Sequence, residues 1–558
     1  MTEISSLESR IDEIINDLQG ICSQHGLANQ ASEERIVTTI FLYKFLNDKF
    51  MHSIKEFARS IGVDYKTILA NQNDELDAFY DTYSGNVAFG EEDTIEALMQ
   101  QVADTKFYEK FDAALDRIST NPRNENFNIE TADGTRKKLF EAISGEVESQ
   151  SKNNFAKRIF ATIAQERFDF SGAFKNNFDF YSRIFEHLIK NYNVASGTYA
   201  EYFTPQAISK IIAEILVGMS EKIQASEIYD PSAGSGSLIL HLANELGSED
   251  NISRAIVYTQ DISNKSSRFL RINLLLNGLT DSLHNVIQGD TLLHPAHYVI
   301  EHEQTSGLKK FDYIVSNPPF KTDFSSTRDE IENNWGEVKD ANGLKRFFAG
   351  IPSVPKKKKE SMGIYLMFIQ HIIFSLKENG KAAIVVPTGF LTAQNGIEYT
   401  IREYLIENRL LKGVISMPSN IFANTGTNVS VLFIEKTNET NEVMLIDASK
   451  LGSKVKEGKN QKTALSPEEG KLIISTFISK KEEKDFAIKV SFEQIENKKY
   501  SFSAGQYFEI VIEHIDITPE EFQSKLATFE QEYSALIEEG KELDKQILDQ
   551  LKTLHLVN

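Results

Sequence analysis

Phe311-Asp312-Tyr313-Ile314-Val315-Ser316-Asn317-Pro318-Pro319-Phe320 is the stretch that decides how this chain folds. Its first six residues, rich in aromatic and β-branched side chains, read as a buried strand. Consecutive prolines continue neither a strand ladder nor a helix. The strand therefore stops abruptly and delivers the Asn317 side chain and the Pro318 carbonyl to its carboxyl end, where open α/β sheets bind ligands. An amide oxygen and a backbone carbonyl held side by side are two acceptors for an exocyclic amino group. Phe320 adds a face on which a planar base can stack. Alone, Asn-Pro-Pro-Phe is also an ordinary loop, so the reading needs a cofactor site.

Such a site lies upstream. Ile228-Tyr229-Asp230-Pro231-Ser232-Ala233-Gly234-Ser235-Gly236-Ser237-Leu238 runs from a short strand through small residues into an apolar helix. Glycine lets the backbone approach a ligand and adopt positive φ, and the next helix offers free N–H groups at its start. No Lys-Ser/Thr follows, so this is not a phosphate-binding P-loop, nor is it G-x-G-x-x-G. Ala255 to Tyr258 is a second apolar run, ending in Thr259-Gln260-Asp261, and Asn285 to Gln288 a third, ending in Gly289-Asp290. Each acid alone is an ordinary cap or turn residue. In this order, Asp261 suits two ribose hydroxyls and Asp290 an adenine amino group. With the Asn317 turn downstream, the set suits methyl transfer to nitrogen.

These residues resemble the modification subunit of type I restriction-modification systems, a DNA N6-adenine methyltransferase. Tyr202-Phe203-Thr204-Pro205 is similar to the family's F-Y-T-P, and Asp230 to Gly236 to its D-P-x-C-G-S-G. Thr259-Gln260-Asp261 with Asn273-Leu274-Leu275-Leu276 is similar to its G-Q-E and N-L-L-L. Gly289-Asp290-Thr291-Leu292 and Asn317-Pro318-Pro319-Phe320 match directly, and Gly380 to Pro387 and Phe422 to Gly426 continue the agreement. The resemblance spans residues 170 to 515 or so, with Ala233 in place of the usual Cys and Asp261 in place of the usual, longer Glu.

The resemblance implies S-adenosyl-L-methionine as cofactor. Tyr202, Phe203, Thr204 and Pro205 would border its methionine end. Asp230, Ser232, Gly234, Ser235 and Gly236 would line it, with Asp261 on the ribose and Asp290 on the adenine. Asn317, Pro318, Pro319 and Phe320 form the expected catalytic set. The implied partners are double-stranded DNA, a specificity subunit bound by two copies of this chain, and a restriction subunit carrying nuclease and translocase functions. The alternatives are an amino methyltransferase for RNA or protein glutamine, and a non-catalytic scaffold of the same fold.

Composition narrows the setting. The chain has 558 residues, enough for two or three domains, and 41% hydrophobic with 25% charged residues is a globular balance. No run approaches the roughly 18 apolar residues of a membrane span, and Met1-Thr2-Glu3-Ile4 lacks a signal-peptide core, so no membrane partner and a cytoplasmic location are expected. A single cysteine, Cys22, argues against Cys-based metal sites and cysteine-nucleophile cytosine methylation; it reads as a core residue, and no metal is expected. The net charge of −21 is awkward for binding phosphates. It fits a catalytic subunit whose hold on DNA comes from a partner, and it also fits an enzyme that never touches DNA, so charge alone favours the rival reading.

Along the chain, residues 1–165 read as a helical N-terminal domain: Ile4, Leu7, Ile11, Ile14, Ile15 and Leu18 recur at helical spacing. Residues 166–475 read as an α/β domain, a seven-stranded doubly wound, Rossmann-like methyltransferase sheet whose last strand the family makes antiparallel. Strands are expected near 227–230, 255–259, 285–288, 311–316, 381–387, 411–417 and 429–435. Residues 321–361, with Trp335, Lys345, Arg346 and Lys356-Lys357-Lys358-Lys359, form a long insertion after the Asn317 turn. It reads either as a flexible DNA-contacting segment or as a solvated charged loop. Residues 476–558 end in a helical tail. Thr518-Pro519-Glu520-Glu521 is a capping box, and Phe522, Leu526, Phe529, Tyr533, Leu536, Leu543, Ile547 and Leu554 follow a heptad seam suited to a partner helix.

Overall fold

The computed structural model describes residues 3–28, 30–70, 74–83, 86–127, 129–130, 136–171, 204–219, 226–247, 255–277, 279–301, 304–422, 428–437, 440–457, 460–508 and 518–553. Met1–Tyr507 forms one compact unit and Phe508–Asn558 a second.

The main sheet is built from β1 (Glu227–Asp230), β2 (Ile256–Asp261), β3 (Val286–Gln288), β4 (Phe311–Ser316), β5 (Leu376–Pro387), β6 (Leu411–Ser416), β7 (Val429–Glu435), β8 (Glu442–Asp447) and β9 (Ala487–Ser491). Among the described residues its order is β9-β8-β6-β7-β5-β4-β1-β2-β3. β1 to β5 run parallel, while β7 lies antiparallel between β5 and β6. All seven expected strands are present, and β7 is the antiparallel one. The sheet also carries two further strands, since β8 pairs with β6 and β9 with β8.

Central strands covered on both faces must be apolar throughout. Ala382, Ala383, Ile384, Val385 and Val386 of β5 are all buried, and trimming Ile384 to Ala would cost about 2–5 kcal/mol. Helices Ser237–Gly247 and Pro467–Ser479 each pack against helix Gln206–Gly218 beside the sheet. Pro467–Ser479 runs through the expected boundary at 475, and β9 follows it.

The N-terminal region is helical, as its periodicity indicates: Glu3–Gln24, Ala31–Ile61, Phe107–Thr120 and Lys152–Ile163 are its longer helices. Ile11, Ile14, Ile15 and Leu18 are buried. Cys22 is buried with them, and burial pushes its thiol up to about 12, which keeps it protonated and inert.

The insertion is a packed element and not the solvated charged loop of the second expectation. It is an ordered element with its own core: Phe324, Ile331, Phe347 and Met362 bury against Leu292, Leu293, Met367 and Phe368. The indole N–H of Trp335 donates to the Leu293 carbonyl at 2.8 Å. Arg346 is fully buried and donates to the carbonyls of Leu292 and Thr291 at 2.9 and 2.8 Å.

In the second unit, Pro519–Thr553 is a single helix. Its capping box is formed: Glu521 N–H donates to Thr518 Oγ1, and Thr518 N–H to the Glu521 carboxylate. Phe522, Leu526, Phe529, Tyr533, Leu536, Leu543 and Ile547 are exposed along it; Leu554 lies outside the described residues.

Candidate active site

In the order β3-β2-β1-β4-β5, the chain reverses its direction of travel across the sheet between β1 and β4. Ligands of doubly wound sheets bind at that switch point. β1 ends in Asp230 and the Gly-rich turn, and β4 ends in Ser316 followed by Asn317. The two strands pair directly, Ile228 with Tyr313 and Tyr229 with Ile314. Just past them, the Ser232 and Ser316 hydroxyls meet at 2.6 Å.

A pocket opens here, lined by Thr204, Asp230, Ser232, Ala233, Ser235, Ser237, Leu238 and Asn317. Thr204 and Pro205 stand ahead of helix Gln206–Gly218, with Pro205 at its cap. The Asn317 side-chain N–H donates to Thr204 Oγ1 at 3.1 Å. That bond uses the amide nitrogen and leaves the amide oxygen as an acceptor.

The Gly-rich turn is fixed from three sides. Gly234 N–H donates to Asp261 Oδ2 at 2.9 Å, and Ser263 N–H to Asp261 Oδ1 at 2.8 Å. The buried Asn273 donates to the Ser235 carbonyl at 3.0 Å. Gly236 has φ +88°, and a Cβ there would stand 2.1 Å from Leu270 Cδ1, so only glycine lets the turn close on helix Asn264–Leu276.

Asp230 is buried, and desolvation, with a further push from the Asp261 charge, raises its carboxyl to about 8. Burial also raises Asp261. Two buried carboxylates, Asp230 in the pocket wall and Asp261 behind the Gly-rich turn, with the Thr204, Ser232 and Ser235 hydroxyls, form a set that suits a cationic ligand bearing hydroxyls. The residues present therefore fit S-adenosylmethionine.

Asp290 stands apart from the pocket lining. Its Oδ1 accepts the N–H groups of Leu292 and Leu293 at 2.9 and 3.1 Å, capping the turn after β3. That turn is tied back to the site by Thr291, whose hydroxyl donates to the Pro231 carbonyl at 2.6 Å. Asp261, Gly234 and Gly236 likewise stand outside the lining, with Asp261 accepting the Gly234 N–H from behind the turn. Tyr202 and Phe203 lie outside the described residues.

In the Asn317 turn, Pro318 is buried while Pro319 and Phe320 are half-buried. Phe320 meets Tyr365 edge-on at 6.3 Å, Tyr365 meets Phe390 at 6.2 Å, and Phe390 meets Phe502 at 6.5 Å. This aromatic row braces the Phe320 ring.

Sequence reasoning gave no role to Asn273 or Arg346. Asn273 was visible as a polar residue heading Leu274-Leu275-Leu276. Arg346 carried only the weak signal of a cation set beside Phe347-Phe348. It belongs to a buried chain: its Nε donates to His371 Nδ1 at 3.2 Å, and His371 Nε2 lies 3.4 Å from the Tyr229 hydroxyl. Burial, and then the Arg346 charge, hold His371 well below its ordinary value, so the imidazole is neutral.

A family model described as N-6 DNA Methylase matches residues 176–514. The chain belongs to the N-6 DNA methylase family. It is 33% identical over 340 residues to the methylase subunit of type I restriction enzyme MpnII from Mycoplasma pneumoniae, covering 60% of this chain and 58% of that one. Against the MjaIX methylase subunit from Methanocaldococcus jannaschii, identity is 27% over 393 residues, covering 67% of this chain and 63% of that protein. The chain thus spans under two thirds of the length of these curated relatives. The crystal structure of a type I restriction-modification system methyltransferase subunit from Streptococcus thermophilus superposes with a TM-score of 0.67 at 23% identity, over 91% of this chain and 99% of that one. That likeness shows a shared fold; among the described residues the main sheet of this chain has nine strands.

Proposed function

We propose that this chain is the methylating subunit of a type I restriction-modification assembly, transferring a methyl group from S-adenosylmethionine to N6 of adenine in double-stranded DNA. The observation that supports this best is the placement of the Asn317 amide on the wall of the same pocket as Asp230 and the Gly-rich turn. The 33% identity to a type I methylase subunit supports it independently.

Thr204, Pro205, Asp230, Ser232, Gly234, Ser235 and Gly236 would hold the cofactor, with Asp261 for its ribose and Asp290 for its adenine. When bound, S-adenosylmethionine supplies a methyl group already activated by a sulfonium. The target adenine leaves the helix, because its amino group is paired inside the duplex. Phe320 stacks on it. The Asn317 amide oxygen and the Pro318 carbonyl accept the two amino hydrogens and draw the nitrogen lone pair out of ring conjugation. Catalysis is mostly positioning and stabilisation of developing charge. No covalent intermediate is needed.

The helices of residues 1–165 face DNA or a partner subunit, residues 166–475 carry the chemistry, and residues 476–558 end in the docking helix. A separate specificity subunit, shared by two copies of this chain, sets the target sequence and receives the exposed Pro519–Thr553 seam. A restriction subunit joins the assembly, and the setting is the cytoplasm.

The test is transfer of labelled methyl to duplex DNA, RNA and protein by the chain co-expressed with its specificity subunit. N6-methyladenine in the duplex alone is expected. Label in RNA or on glutamine would replace this reading with a rival one.

A further inference from the structure

The chain carries a net charge of −21, yet one place beside the candidate active site is positive. Lys321 directly follows Phe320, and Lys356, Lys357, Lys358 and Lys359 lie at the far end of the insertion. The fold brings these ends together. Thr322 N–H donates to the Met362 carbonyl at 3.1 Å, and Tyr365, three residues on, meets the Phe320 ring. Hydrogen bonds from Ser325 hold the Asp323 carboxyl below its ordinary range, and the nearby Lys359 charge adds to this.

All five lysines are exposed, and among the described residues none has a carboxylate within 4.0 Å. The carboxylates in the same two segments are Asp323 and Glu360, both exposed. Of the other cations in the insertion, Lys345 pairs with Glu337 at 2.7 Å, Arg328 pairs with Asp329 and Glu332, Arg346 is buried, and Lys339 is exposed beside Lys345, away from the lysine run. The lysine run is also held in place. The packed core of Phe324, Ile331, Phe347 and Met362 anchors the segments on either side of it, and Lys358 turns the chain at φ +58°.

We propose that Lys356 to Lys359, with Lys321, form a phosphate grip for the duplex strand flanking the adenine that enters the site. The inference rests on the proposed DNA methylation and adds to it the surface by which this acidic chain itself touches the nucleic acid. Unpaired ammoniums at the two ends of the insertion, which meet beside the stacking Phe320, suit phosphates and carry no base readout. The grip therefore contributes sequence-independent affinity at the catalytic centre.

The test measures binding of a fluorescent mixed-sequence duplex to the full chain across a salt series. Lys356→Gln, Lys357→Gln, Lys358→Gln and Lys359→Gln are combined in one variant. A matched variant changes the exposed lysines Lys450, Lys471, Lys481 and Lys484 to Gln. Each phosphate contact adds about 0.9 to the salt slope. The grip variant should therefore lose about 2–4 from that slope, with cofactor affinity unchanged, while the matched variant keeps the native slope. Equal slopes in the native and grip-variant chains, equal losses in both variants, or no duplex binding by the native chain at the lowest salt would each overturn the grip. Failure of the methylation reading shows separately, as no methyl transfer to any duplex by the native chain with its specificity subunit.

Discussion

The side-chain amide of Asn317 donates to the hydroxyl of Thr204 at 3.1 Å, across 113 residues of chain. Thr204 is buried ahead of helix Gln206–Gly218, so the contact locks the orientation of the amide at the end of β4. Its consequence is a fixed direction for the amide oxygen that the proposed mechanism aims at the target amino group.

Thr204→Val should therefore lower kcat by about 2- to 10-fold, the worth of one neutral hydrogen bond, and Thr204→Ser should restore it. The assay is steady-state methylation with kcat and KM resolved separately. An unchanged kcat in Thr204→Val would show that the Asn317 amide needs no such anchor.

Asp230 gives a pH prediction. Its buried carboxyl titrates near 8 instead of 3.8. Between those values the native state keeps a proton that the unfolded chain has released. Stability from this group is thus complete below about pH 4 and is lost as pH rises through about 8. A cationic ligand favours the ionised carboxylate, so cofactor affinity should rise with pH over the same window. Calorimetry at neutral pH in buffers of different ionisation enthalpy should register proton release on binding, and Asp230→Asn should remove it. Identical proton release in both proteins would refute the assignment.

Arg346 holds the insertion to the turn after β3. Arg346→Met keeps much of the volume but strands the Leu292 and Thr291 carbonyls, at about 1–3 kcal/mol for each buried acceptor. Thermal denaturation should show a clear drop in Tm. Native stability in this variant would mean that the insertion is held by its apolar core alone.

The tail prediction follows from the exposed seam. Removing residues 518–558 should leave cofactor affinity intact, because all the candidate cofactor residues lie upstream of residue 321, while co-purification with the specificity subunit falls sharply. Undiminished assembly by the truncated chain would assign docking to another surface.

The fold was largely legible because its central strands are apolar runs closed by turn residues. Val429 to Glu435 and Ala382 to Val386 can hardly be anything else. β8 and β9 lie beyond the seven strands that match a methyltransferase sheet, and β9 interleaves Lys489 with apolar residues at the sheet edge, so neither stood out as a strand. The insertion misled for another reason. Its core uses Phe324, Ile331, Phe347 and Met362, too widely spaced for a period, within a polar and charged stretch. The candidate site was legible as separate strand ends, since each acid and the Asn317 turn follow an apolar run. The contacts between them were not: Thr204 with Asn317, and Asn273 with Ser235, are pairings of distant residues that only the closed sheet creates.

The central claim is that the Asn317 turn presents the target amino group and does not hold the cofactor. The decisive measurement is Asn317→Ala, assayed for N6-adenine methylation with the specificity subunit present and for S-adenosylmethionine binding by calorimetry. Methylation should be abolished while cofactor affinity stays near that of the native protein. Methylation at the native rate in Asn317→Ala would contradict the account.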